Sequence, residues 1–184
     1  MMSMSAIEKL KKSEFLLFID VNEDTSFQNN QYKRIDKSTV LDIAMNPQSE
    51  SKEYIDSETP TEEVTSNQPE LGQEMALFEG NPVFDFLYKK FKKCPVGEQI
   101  KVPFLLCFGG KDRDAWQTIA SIIFSNLTPT EDKLSFNLKL GPITHGKYEI
   151  VDGAPTFTEV VEDEEDTNGD DTSGEDNGEE VQGE

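Results

Sequence analysis

The chain has 184 residues, with 17 Lys+Arg against 37 Asp+Glu and a formal net charge of −20. That balance excludes a basic nucleic-acid binder, because phosphate affinity needs clustered Lys and Arg. No run of about 18 apolar residues exists to make a membrane-spanning helix, and Met1 to Leu10 lacks the charged, apolar and small-residue pattern of a secretory signal.

The charge is uneven. Residues 162–184 contain 12 acids, no Lys or Arg, and one large aliphatic residue, Val181. Such a segment cannot bury enough apolar surface to offset the entropy of ordering it, so a disordered acidic tail is expected. The remaining 25 acids and 17 bases give residues 1–161 a net charge of −8. Residues 1–14 are polar and read as a flexible N-terminus. Residues 15–161 have the size of one domain.

In chain order, Phe15–Val21 is a short apolar run, which predicts a strand buried on both faces. Ser38–Met45 is a second strand candidate, stopped by Asn46-Pro47. Residues 47–73 are polar, with few apolar residues beyond Tyr54, Ile55, Val64 and Leu71, and are expected to form one extended loop. Asn81-Pro82 then opens the best helix. Asn81 suits the cap, Pro82 the first helical position, and Val83, Phe84, Leu87, Tyr88 and Phe91 recur at helical spacing. Lys89, Lys90, Lys92 and Lys93 sit at its C-terminal end, where the dipole favours cations. A solvated helix end accounts for them, with an inter-subunit ion-pair surface as the other reading.

The rest is β-rich. Gln99–Phe108 reads as a strand that is an edge strand or enters a sheet at Pro103. Ala115–Leu127 is ambiguous: Trp116, Ile119, Ala120, Ile123 and Leu127 recur at helical spacing, so periodicity alone leans to a helix, while Thr118, Ile122 and Phe124 favour a strand. Leu134–Leu140 alternates apolar and polar without a break. Gly146–Val151 and Thr156–Val161 follow as two further strands.

Catalytic and metal motifs are missing from the sequence. His145, the single histidine, reads as a turn residue without companions for a triad or a metal site. Cys94 and Cys107 read as reduced thiols, Cys107 within a buried strand. Glu164-x-Asp166-x-Asn168-Gly169 with Glu175 approximates a calcium loop, yet lacks Asp at the first position and any flanking amphipathic helix. No enzyme activity, metal or cofactor is expected.

The order of segments carries more information than any motif. Val40-Leu41-Asp42-Ile43 precedes a loop holding Lys52-Glu53-Tyr54-Ile55-Asp56-Ser57-Glu58-Thr59. Gly80-Asn81-Pro82-Val83 then starts the helix, and Leu134–Tyr148 closes with a strand, Gly141 and another strand before Phe157. Over residues 15–160 this order resembles the major tail (tail tube) protein of long-tailed bacteriophages, of the type found in phages and prophages of Gram-positive bacteria. The resemblance implies a mainly β fold, an antiparallel β-sandwich or barrel with one flanking α-helix and a long inter-subunit loop. It also implies a homo-oligomer: hexameric rings stack into a tail tube, through whose lumen DNA passes without specific binding during ejection. Tape-measure, tail-terminator and tail-tip proteins would be its partners, the virion its location and the host cytoplasm its place before assembly. Tyr54, Ile55, Thr59 and Val64 become the expected interface residues of the loop. The acidic tail lies outside this resemblance and by itself suggests an alternative, a chaperone-like protein that shields basic partners.

Overall fold

A computed structural model describes residues 9–52 and 61–160. Its fold is mainly β, antiparallel throughout, with one α-helix. Eleven strands are present among the described residues: β1 (Leu16–Asp20), β2 (Tyr32–Arg34), β3 (Asp42–Ala44), β4 (Pro47–Lys52), β5 (Thr61–Asn67), β6 (Glu70–Ala76), β7 (Lys101–Cys107), β8 (Asp114–Thr128), β9 (Lys133–Leu140), β10 (Thr144–Val151) and β11 (Ala154–Glu159). The helix α1 (Pro82–Lys92) lies between β6 and β7.

Nine strands form one sheet in the order β2-β1-β7-β8-β9-β6-β3, and β10 and β11 branch from β8. The branch exists because β8 is 15 residues long and outruns any single neighbour on that edge. Its first part, Asp114–Gln117, pairs with β10, and Ala120–Thr128 pairs with β9. Gly141 makes the changeover possible. Its N–H donates to the Ile119 carbonyl at 3.0 Å, and a Cβ there would lie 2.8 Å from that same oxygen.

The unbroken apolar runs of β1 and β7 are explained by two clusters on opposite faces. Leu17 and Ile19 of β1 and Val102, Phe104 and Leu106 of β7 join the main core, with Leu71, Met75, Leu134, Phe136 and Leu138. Phe18, Leu105 and Cys107 point the other way, into a second cluster covered by Tyr32, Tyr148 and Phe157. Since side chains alternate along a strand, a strand covered on both faces must be apolar at every position.

The helix closes the main core. Asn81 Oδ1 accepts from the Val83 and Phe84 amides at 3.0 and 3.1 Å, and Val83, Phe84 and Leu87 are buried. Phe91 meets Phe124 of β8 edge-on, with ring centroids 5.5 Å apart.

Several expectations need correction. Residues 47–73 are not one loop: β4 and β5 form a hairpin, and Glu70–Gln73 already belong to β6, where Leu71 and Gln73 are buried. Composition hid this, because an exposed hairpin needs no apolar residues. Of Ser38–Met45 only Asp42–Ala44 pairs as a strand, against β6, while Ser38 makes a single bridge to Met75. β7 is central rather than an edge strand, flanked by β1 and β8. Pro103 is accommodated because the ladder to β1 ends at Phe104, leaving only Ile119 of β8 opposite the proline. His145 sits in β10 opposite Trp116, not in a turn.

The helix-like spacing in β8 is a coincidence of two faces. Trp116 and Ala120 join the main core, whereas Ile123 is exposed on the opposite side. A bulge between Phe124 and Asn126 then shifts the register before Leu127 returns to the core side.

Candidate assembly surface

The hairpin β4–β5 forms a two-stranded sheet separate from the main one. Every residue of β4 is exposed, and from Glu62 to Asn67 only Glu63 is partly covered. Six residues at ~3.3 Å each carry β4 about 20 Å out from its base.

The base is built carefully. β3 and β6 pair through Asp42↔Gly72, Ile43↔Leu71 and Ala44↔Glu70, and β4–β5 continues the same antiparallel pair beyond a bend. At the bend Asn46 has a left-handed backbone (φ 44°). The Gln68 amide donates to the Met45 carbonyl at 3.0 Å, and the Asn46 side chain donates to the Gln68 carbonyl at 3.2 Å. Pro69, buried, presents its carbonyl to the Leu140 amide at 2.9 Å. The arm is thus rooted in the core while its body stands clear of it.

Among the arm's described residues the contacts that favour the hairpin are mostly polar and exposed. Glu50 stands directly opposite Glu63, a like-charge pair that destabilises a ladder. Lys52 Nζ meets Glu63 Oε2 at 2.5 Å, but both side chains are largely in solvent, where such a pair contributes little. Thr65 Oγ1 donates to the Gln48 carbonyl at 3.1 Å. An isolated two-stranded hairpin is marginal in water. Val64, the one large apolar residue of β5, is 63% exposed.

Of the four expected interface residues, the structure places Val64 on this arm. Tyr54, Ile55 and Thr59 lie outside the described residues, as do residues 162–184 with the calcium-loop-like spacing. The hairpin was not foreseen from the sequence. Its one signal was the β-branched Thr61, Val64 and Thr65 in a stretch otherwise too polar for an apolar-periodicity test.

Other chemistry is sparse. Among the described residues, no group of three or more His, Cys, Asp and Glu could hold a metal ion, and no helix is long and apolar enough to cross a membrane. Burial pushes the Cys107 thiol up to about 12, so it stays protonated and unreactive. Asp20, fully buried, is satisfied by the amides of Asn22, Asp24 and Gln31 and by the Asn30 side chain, and so organises the loop between β1 and β2.

Comparison with known proteins rests on the fold. No family model matches the chain, and no curated protein matches it in sequence. Among solved structures, the chain is similar to one from the tail of an empty GTA particle, determined by helical refinement with C6 symmetry. That match has a TM-score of 0.54 at 11% identity and covers 82% of this chain and 99% of the other. Weaker likenesses are to a chain of an extracellular contractile injection system described as the PVC sheath/tube terminator in its extended state (TM-score 0.48, 8% identity, 77% and 99% covered) and to one of the anti-feeding prophage cap, the AFP tube terminating cap (TM-score 0.46, 11% identity, 79% and 95% covered). The chain therefore has, over most of its length, the fold of a protein found in the tail of a GTA particle.

Proposed function

We propose that the chain is a structural subunit of a phage-like tail tube, joining copies of itself into six-membered rings that stack, with the β4–β5 arm and residues 53–60 as the connector. The observation that carries this reading is the arm. A long hairpin rooted in the core, exposed at nearly all its described residues and without a hydrophobic cover of its own, gains most by laying its strands or the Val64, Tyr54 and Ile55 side chains on another subunit. Ring-on-ring contacts of this head-to-tail kind do not close, and so extend into a tube. The fold shared with a chain of a C6-symmetric tail supports the same reading, as does the resemblance to tail tube proteins of Gram-positive phages and prophages.

The net charge of −8 on residues 1–161 suits a lumen that DNA must traverse, since phosphate-binding lysines on its wall would slow passage. In this scheme the subunit folds in the host cytoplasm, assembles with tape-measure, terminator and tip proteins, and ends in the virion tail.

Electron microscopy of the concentrated full-length protein is the test. Rings or tubes are expected, and their loss in a Tyr54→Ser/Ile55→Ser/Val64→Asp variant that keeps its circular dichroism spectrum. Monomers at every concentration would overturn the proposal, and capture of basic proteins through residues 162–184 would favour the shielding role instead.

A further inference from the structure

A groove of about 790 Å³ opens beside the C-terminal end of α1. Lys89, Lys90, Lys93 and Lys101 line it, together with Glu23 and Glu98. The two carboxylates are engaged within the groove: Lys90 Nζ pairs with Glu23 Oε1, and Lys101 Nζ lies 2.7 Å from Glu98 Oε1. Lys89 and Lys93 remain, one helical turn apart, exposed, and without a salt bridge among the described residues. Like charges at this spacing repel and weaken the helix. Five of the chain's 17 basic residues fall between positions 89 and 101, where Glu98 is the sole acid. The helix dipole favours cations in the last turn, and Lys89 and Lys93 nonetheless stand there with no anionic partner among the described residues.

We propose that the acidic segment 162–184 docks on this lysine groove of its own chain. The inference does not depend on the tail-tube reading. The segment carries 12 carboxylates and no base, which matches the groove's surplus of positive charge. The reach suffices. Val160 is held at the His145 carbonyl by a 3.1 Å hydrogen bond, near the Ala115–Cys107 end of the β7–β8 ladder, and Lys101 begins β7 at the other end. Seven strand residues separate the two ends by roughly 23 Å, whereas 24 residues can extend up to ~80 Å. Asp170 to Glu184, with seven acids, are then left to occupy the groove. Tethering gives them an effective concentration of about millimolar, beyond what a free anionic partner commonly supplies. A nucleic acid is disfavoured by the groove's own Glu23 and Glu98 and by competition from the tethered segment.

Zero-length carbodiimide coupling of the full-length protein, read by mass spectrometry, tests this directly. The expected result is amide cross-links from acids of 170–184 to Lys89 or Lys93, within the monomer and in a yield independent of protein concentration. Their yield should fall about fivefold in 1 M NaCl, where the Debye length is ~3 Å, and in a Lys89→Gln/Lys93→Gln variant with an unchanged melting temperature the cross-links from the same acids to Lys90 or Lys101, which also line the groove, should fall about fivefold. Absence of these cross-links, or their formation only between differently isotope-labelled copies, overturns the proposal. So does a fluorescent DNA duplex that binds the full-length chain through Lys89 and Lys93.

Discussion

The ring of Phe157 occupies the space that a side chain at Gly146 would need. A Cβ at position 146 would lie 2.5 Å from Phe157 Cζ and 2.3 Å from the Thr158 carbonyl oxygen. The ring thereby covers the glycine and, with Tyr148 opposite it across β10–β11, roofs the second cluster over Phe18, Leu105 and Cys107. Gly146→Ala is expected to cost about 3 kcal/mol, because one of the atoms in the way is backbone. In a Phe157→Ala background the same change should cost less but still destabilise, since the Thr158 carbonyl remains. Urea unfolding of the four proteins measures this coupling.

The cap of α1 offers a second check. Asn81 Oδ1 serves two amides, and its Nδ2 donates to Asp36 Oδ1, tying the helix start to the segment after β2. Asn81→Ala should lower stability by about 1–2 kcal/mol, and Asn81→Ser by less, because the acceptor survives without setting a second carboxylate against Asp36. Thermal melts followed at 222 nm report the difference.

Alkaline pH should destabilise the fold in a defined window. Burial raises the Cys107 thiol from 9.0 to about 12 and, as the largest influence, the Tyr32 hydroxyl from 10.0 to about 12. Both groups keep their protons in the folded chain at pH values where the unfolded chain has lost them. Stability is therefore full below about pH 9 and falls as pH rises toward 12, by about 1.4 kcal/mol per pH unit for each group within its own window. Urea midpoints between pH 7 and 11 should show the decline, and Cys107→Ala should remove the part that begins near pH 9.

Thiol chemistry should separate the two cysteines. Cys94 is exposed and Cys107 is fully buried. A chromogenic disulfide reagent should titrate one equivalent rapidly in the native protein, and a second only in denaturant. Two rapid equivalents would mean that the roof of β10–β11 opens readily.

Val64→Asp separates folding from association. The side chain touches no core, so unfolding midpoints should shift by less than about 0.5 kcal/mol. Self-association, measured by sedimentation velocity across a concentration series, should weaken strongly. A large loss of stability with association intact would assign Val64 to the fold rather than to the interface.

Much of the architecture was legible in the residues. Leu134, Phe136, Leu138 and Leu140 alternate and are all buried in β9, and Asn81-Pro82 starts the helix as its chemistry requires. These features are local: a repeat of two or a cap can be read from a few neighbours along the chain. The arm was misread because β4 and β5 bury almost nothing and so leave no hydrophobic trace. Of the two readings of Pro103 the edge strand failed, because the end of a neighbouring strand, not the strand carrying the proline, decides whether its missing N–H matters: β7 gains its second neighbour, β1, from Phe104 onward.

By itself the sequence determined a β-rich body, one capped amphipathic helix, a strongly acidic final segment and the lack of a familiar catalytic constellation, since each follows from residue type and short spacing. Only the tertiary structure decided that β8 serves two partners on one edge, that β1 and β7 divide their side chains between two clusters, and that the polar stretch after Asn46 stands out as a hairpin. Those outcomes depend on contacts between segments far apart in the chain, such as Phe157 over Gly146 beside Ala115, or Pro69 against Leu140. No local pattern encodes which distant surface a strand will meet.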